Sequence, residues 1–222
     1  MMHGNARGER QMVGLFGGTF DPIHYGHLRM ALELKQRLGF SEMRLVPCHV
    51  PPHRQTPGRS SVDRAAMVRL AVAECSQLQV DERELRRDEP SYTVETLAQL
   101  RQEMGAAVSL SWCVGMDSLV TLNQWHRWRE LLDCAHLVVA TRPGWSLPAQ
   151  GEVADWVRAH RADAEVLHGQ PSGRVVLVEQ SMLDISATAI RQMIARGESP
   201  QFLLPETVRR YIEQNHLFNE PV

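Results

Sequence analysis

Long apolar runs are missing from this sequence: nothing approaches the roughly 18 residues that would span a bilayer, so no membrane partner is expected. Cysteine is scarce as well. Cys48, Cys75, Cys113 and Cys134 lie far apart with no C-x-x-C pair, and no signal-peptide pattern opens the chain. These absences argue against a zinc site and point to a reducing cytoplasm. A strong charge of one sign is also lacking. At a formal −2 the chain offers no global basic field to DNA or RNA, although arginine is abundant, and no nucleic-acid partner is expected. Neither the Gly-Lys-Ser/Thr of a Walker loop nor the G-x-G-x-x-G dinucleotide fingerprint occurs. Internal repeats and low-complexity tracts are absent too.

What remains is the balance of a globular chain. Hydrophobic residues make up 43% and charged residues 23% of 222 positions, which argues against disorder and leaves room for one α/β domain with a sizeable core. A loose polar leader is expected over residues 1–11, one domain over 12–218 and a short tail over 219–222.

Apolar spacing supplies the elements. Strands are predicted at Met12–Phe16, Met43–Pro47, Leu78–Val80, Val108–Val114, Leu137–Ala140, Ala164–Leu167 and Val175–Glu179. Helical spacing follows the first strand at Leu28, Ala31, Leu32, Leu34 and Leu38, and recurs at Met67, Leu70, Ala71 and Val72 behind a cap at Ser61 or Asp63. Val94, Leu97, Leu100 and Met104 follow Ser91-Tyr92-Thr93, which has the look of a helix cap, and Gly105 closes that helix. Trp125, Trp128, Leu131 and Leu132 form a further helical pattern, as do Val153 to Arg161, Ile185 to Arg196 and Glu206 to Asn215. Cys48 to Ser60, rich in proline and histidine, reads as loop, and the mixed-charge run Asp81 to Asp88 as a solvated surface. Such alternation predicts a Rossmann-like, doubly wound α/β fold: a mainly parallel sheet with helices on both faces and ligands beyond the carboxyl ends of the strands.

One stretch concentrates chemistry. Gly17-Gly18-Thr19-Phe20-Asp21-Pro22-Ile23-His24-Tyr25-Gly26-His27 joins a strand end to a helix start. Glycines at such a turn let backbone approach a ligand, and the helix start presents unpaired N–H groups to an anion. His24 and His27, three apart, can face one side and both donate to phosphate oxygens. Gly26 is a poor helix former, and its missing side chain would let a ligand base or ribose lie against the backbone.

The stretch resembles the signature of the nucleotidyltransferase superfamily, whose H-x-G-H element is shared with class I aminoacyl-tRNA synthetases, and Ile185-Ser186-Ala187-Thr188-Ala189-Ile190-Arg191 resembles its second signature. Further markers follow in order: Pro51-Pro52-His53, Ser91-Tyr92-Thr93, Gly115-Met116-Asp117-Ser118-Leu119, Trp125 and Arg142-Pro143-Gly144. Together they are similar to the bacterial nicotinate mononucleotide adenylyltransferase family over residues 12–218. Arg54 stands where that family usually has lysine, and His126 where tyrosine is frequent.

The resemblance implies transfer of AMP from ATP to nicotinate mononucleotide, with Mg²⁺ held mainly by the ATP phosphates and no protein metal site. It assigns catalysis to His24, His27 and Arg191. ATP binding falls to Gly17, Gly18, Thr19, Phe20, Gly26, Ile185, Ser186 and Thr188 together with those three. The acceptor falls to Arg54, Tyr92, Thr93, Asp117 and Trp125. Phosphopantetheine adenylyltransferase would share the two ATP motifs but lack the Tyr92 and Trp125 features. A non-catalytic nucleotide-binding regulator would not need both histidines, and a tRNA synthetase fragment would need a Lys-Met-Ser-Lys-Ser-like loop and an anticodon domain. Oligomeric state is not legible, and a homo-oligomer is compatible with the sequence.

Overall fold

The computed structural model describes residues 10–49, 59–87, 90–181 and 183–219. Six strands build one sheet: β1 Met12–Gly18, β2 Glu42–Pro47, β3 Gln79–Val80, β4 Ser109–Gly115, β5 His136–Thr141 and β6 Val175–Glu179. Their order is β3-β2-β1-β4-β5-β6, and every ladder is parallel. A parallel sheet needs a crossover between successive strands, and the chain supplies helices for it. These are α1 Tyr25–Leu38, α2 Ser61–Val72, α3 Thr93–Met104, α4 Met116–Val120, α5 Leu131–Cys134, α6 Glu152–His160, α7 Val166–Gly169, α8 Ala187–Ala195 and α9 Glu206–Gln214.

Strand alternation sorts the core into two layers. Met12 and Phe16 of β1, Cys113 of β4 and Val138 of β5 face a cluster closed by Ala31, Leu34, Met67, Val68, Ile190, Val208 and Ile212. Val13, Leu15, Leu110, Trp112, Leu137 and Val139 face the other side, against Val94, Leu97, Leu100, Leu131 and Val157. The helices α1, α2, α8 and α9 therefore cover one face, and α3 to α6 the other. The doubly wound expectation holds, with every strand parallel. Among the described residues no helix is long and apolar enough to cross a membrane.

Several local expectations are corrected. Residues 164–167 are not a strand: Val166–Gly169 is a helical turn with Leu167 buried, and the free edge of β6 is met at Val175 by Arg161 instead. The helix expected over Trp125 to Leu132 is broken, because Trp125 is extended and Arg127 takes a left-handed φ of 51°. Helix α2 is capped by Ser60, whose Oγ accepts from the Asp63 N–H at 3.1 Å, and not by Ser61 or Asp63. Nor is the 81–88 run a solvated face in its described part. Arg83–Arg86 forms a 3₁₀ turn that buries Glu84. Of the leader, Gln11 donates to Glu42 at 3.0 Å and Arg10 to the Ala107 carbonyl, so these two residues are tied down. Residues 1–9, the Pro51-Pro52-His53-Arg54 stretch and residues 220–222 lie outside the described residues.

Candidate active site

In this strand order the crossovers leave β1 in opposite directions, so β1 and β4 flank a crevice at the carboxyl edge of the sheet, where open α/β sheets bind ligands. The Gly17–His27 turn leaves β1 there, and Asp117 stands exposed on α4, directly after β4.

Close packing shapes the turn. A Cβ at Gly17 would sit 2.2 Å from the Trp112 ring, and one at Gly18 2.8 Å from Phe20. Phe20 adopts φ 49°, a conformation a bulky residue rarely tolerates, and its buried ring meets Phe16 and His27 edge-on at 5.6 and 5.2 Å. Beyond it the chain turns into α1 at His24, which occupies the N-cap position without a side-chain capping bond. His24 and His27 stack at 3.7 Å between centroids, so the two imidazoles form one surface. Gly26 is what allows this. A Cβ there would lie 3.0 Å from His24 Cε1 and Nδ1, so the missing side chain leaves room for the His24 ring.

Burial lowers the His24 pKa to about 4, so the ring is neutral near pH 7. A neutral imidazole still donates one N–H. His24 Nδ1 is buried with no hydrogen-bond partner among the described residues, which leaves Nε2 as the atom able to serve a ligand.

The second motif reaches the same place. Helix α8 begins at Ala187, two residues later than the sequence pattern opens, with Ser186 as N-cap accepting from the Ala189 N–H at 3.4 Å. Ile185, half-buried, lies beside Gly26. Arg191 Nη1 donates to the Asp21 carbonyl at 2.6 Å and Nη2 to Thr188 Oγ1 at 3.3 Å. Two segments separated by most of the chain therefore share one corner.

On the side expected to take the acceptor, α3 starts at Thr93 with Tyr92 as N-cap, and the Tyr92 side chain makes no capping bond. Ser91-Tyr92-Thr93 does stand at the helix start, but without a side-chain cap, and Ser91 Oγ accepts the His49 N–H at 2.9 Å. Tyr92 lies 4.4 Å from the His126 ring, and Trp125 is half-buried against the β4-side core. Arg54 lies outside the described residues. Of the assigned residues, the structure therefore gathers the two motifs at one corner and sets Tyr92, Thr93, Asp117 and Trp125 on neighbouring elements.

Sequence reasoning missed the supports of these loops. His49 bonds through its N–H to Ser91, through its ring to Ser61 Oγ at 2.9 Å, and through its carbonyl to Arg64 Nη2 at 2.7 Å. Glu84 accepts from Thr96 Oγ1 at 2.7 Å, and burial pushes its carboxyl above the usual range against the opposing effect of the Thr96 and Ser91 hydroxyls. A signal for Arg64 exists: it shares helical spacing with Met67, Val68 and Ala71, an arginine on a core stripe. A groove of about 480 Å³ runs along β3, away from the crevice. There Arg44 and Arg83 are already paired with Glu42, Asp81 and Glu103.

Comparison with known proteins gives the family and the fold. The family model described as cytidylyltransferase-like matches residues 15–193. A relative from Cellvibrio japonicus, named "probable nicotinate-nucleotide adenylyltransferase", is 52% identical over 94% of this chain and 99% of its own length. One of the same name from Aeromonas salmonicida is 50% identical over 93% of this chain and 96% of its own. Among solved structures, the Plasmodium falciparum nicotinic acid mononucleotide adenylyltransferase complexed with NaAD superposes with a TM-score of 0.70 at 16% identity, covering 95% of this chain and 98% of the other.

Two predictions follow from the histidine pair. An imidazole with a pKa of about 4 when folded and 6.5 when unfolded costs stability only as pH falls from 6.5 toward 4, where the unfolded chain binds more protons. Urea titrations should show wild type losing about 2–3 kcal/mol more than His24→Asn between pH 7 and pH 4.5; equal losses would contradict a buried neutral ring. Gly26→Ala should lower kcat about tenfold, because the new methyl presses on the His24 ring. Unchanged kcat would show that the ring position is not critical.

Proposed function

Because this chain belongs to the cytidylyltransferase-like family and, within it, to the nicotinate-nucleotide adenylyltransferases, we propose that it transfers AMP from ATP to nicotinate mononucleotide, yielding nicotinate adenine dinucleotide and pyrophosphate. The observation that carries this reading is the 2.6 Å bond from Arg191 to the Asp21 carbonyl, which joins the two anion-facing motifs into one corner. Residues 12–218 act as one unit, since Met12 and Phe218 share a buried cluster.

The acceptor's phosphate is anionic at neutral pH and needs no general base. Its oxygen forms a bond to the α-phosphorus of ATP as the bond to the β-bridging oxygen breaks, and pyrophosphate departs with that electron pair. Catalysis then rests on alignment and on donors aimed at developing charge. His24, neutral, donates from Nε2 to a phosphate oxygen near the transferred phosphorus, and His27 lies stacked beside it. Arg191, Ser186, Thr188 and the start of α8 hold the β and γ phosphates. Gly17, Gly18, Thr19, Phe20, Gly26 and Ile185 shape the wall they rest on.

Magnesium fits as a passenger of the nucleotide. It would be held mainly by the ATP phosphates and would supply charge neutralisation there. For the acceptor, Trp125 stacks on the pyridine ring, with Tyr92 and His126 beside it, and Asp117 accepts from a ribose hydroxyl. Arg54 contacts its phosphate. The uncapped start of α3 at Thr93 favours a carboxylate over a neutral amide. All four cysteines are free thiols, and we place the reaction in the cytoplasm.

A pyrophosphate-release assay with ATP, Mg²⁺ and each acceptor in turn tests the reading. Turnover is expected with nicotinate mononucleotide, and a higher kcat/KM for the amide would sink the argument from α3. Turnover with phosphopantetheine alone would move the chain to that sister activity. His24→Ala should lower kcat by about 10²-fold with a smaller change in the KM for ATP; a change in KM alone would reduce His24 to a binding group.

A further inference from the structure

Arg64 arises in the first turn of α2 and is fully buried, with 0% of its surface exposed. Among the described residues no carboxylate lies within 4.0 Å of it, and its Nε has no hydrogen-bond partner. Removing a guanidinium from water without a counter-charge costs several kcal/mol, which its hydrogen bonds offset only in part. Nη1 lies 3.7 Å from Cys48 Sγ, and two carbonyl bonds are shorter. Nη1 donates to the Thr19 carbonyl at 2.7 Å and Nη2 to the His49 carbonyl at 2.7 Å.

Each carbonyl belongs to a segment at the crevice. Thr19 sits in the phosphate turn, and its carbonyl shares one planar trans peptide with the Phe20 N–H. Holding the oxygen therefore fixes the direction of that N–H, at the residue forced to φ 49°. His49 follows β2, and its N–H bonds to Ser91 Oγ at 2.9 Å, immediately before the start of α3. The Cys48 N–H adds a bond to the Gly18 carbonyl at 3.0 Å. A rigid guanidinium fork thus sets the separation between the turn facing ATP and the loop leading to the acceptor side, which a lysine, with one compact ammonium, cannot do at two divergent oxygens.

We infer that Arg64 is a positioning residue for the transfer reaction, acting through the Thr19 and His49 carbonyls to hold the phosphate turn in register with the acceptor side. The inference rests on the proposed activity for its kinetic consequence, but its structural content can be read separately.

Full-length wild type, Arg64→Lys and Arg64→Met are compared in two measurements. In steady-state assays with ATP, Mg²⁺ and nicotinate mononucleotide, kcat should fall about 10²-fold in Arg64→Met and about tenfold in Arg64→Lys, with the KM for ATP within about threefold of wild type. In amide hydrogen exchange followed by mass spectrometry, segments spanning Gly17–Phe20 and Pro47–His49 should exchange faster in Arg64→Lys, while β5 keeps its protection. A folded Arg64→Lys enzyme with wild-type kcat, or with unchanged exchange at both segments, overturns the inference. Should Arg64→Met fail to fold, Arg64→Lys decides. If wild type does not turn over nicotinate mononucleotide, the proposed activity fails, and the exchange comparison still decides whether Arg64 holds the two segments.

Discussion

The end of β1 is packed so tightly that backbone and rings touch without intervening side chains, and the rest of the site depends on that contact. Trp112 of the neighbouring β4 lies where a Gly17 side chain would be, Phe20 where a Gly18 side chain would be, and His24 against Gly26. Interiors of this density have few alternative arrangements. The strained Phe20, wedged between Phe16 and His27, and the stacked imidazole pair are consequences of that crowding, and together they deliver a rigid polar surface to the crevice.

Electrostatics follows from the same packing. Burial strips His24 of its charge and leaves it a neutral imidazole. Positive charge instead comes from arginines anchored on carbonyl oxygens. Arg191 is tied to Asp21 from the crevice side, and Arg64 to Thr19 from within the protein. Neither rests on a carboxylate in its described hydrogen bonds. Charge-assisted bonds to carbonyls also fix geometry, which matters most in a reaction that needs alignment more than acid-base chemistry.

The acceptor side is built differently. It is a set of helix starts and short turns, with Thr93 after an uncapped Tyr92, Asp117 after β4, and Trp125 beyond a broken helical segment. Its anchors are side-chain bonds: Ser91 Oγ to the His49 N–H, Ser61 Oγ to the His49 ring, and Thr96 Oγ1 to the buried Glu84 carboxylate. These polar ties take the place of a regular element that could hold such loops, and they connect the acceptor side to the phosphate turn through His49 and Arg64.

Apolar periodicity by itself determined the strand-helix alternation, and with it the parallel doubly wound sheet, because inward-facing residues must recur at two or at three to four positions whatever their partners are. The residue order of Gly17–His27 and Ile185–Arg191 likewise named the chemistry, since these motifs are local. What the sequence could not decide was anything that depends on a neighbour distant in the chain. Residues 164–167 form a turn that leads into α7 while Arg161 meets the β6 edge, and the Trp125–Leu132 pattern broke at a left-handed Arg127. Gly26 makes room for His24, and Ser91 serves His49 and not its own helix. Arg64 showed only as an arginine on a core stripe. Its function depends on Thr19 and His49, 45 and 15 residues away, and only the folded chain brings those carbonyls to one guanidinium.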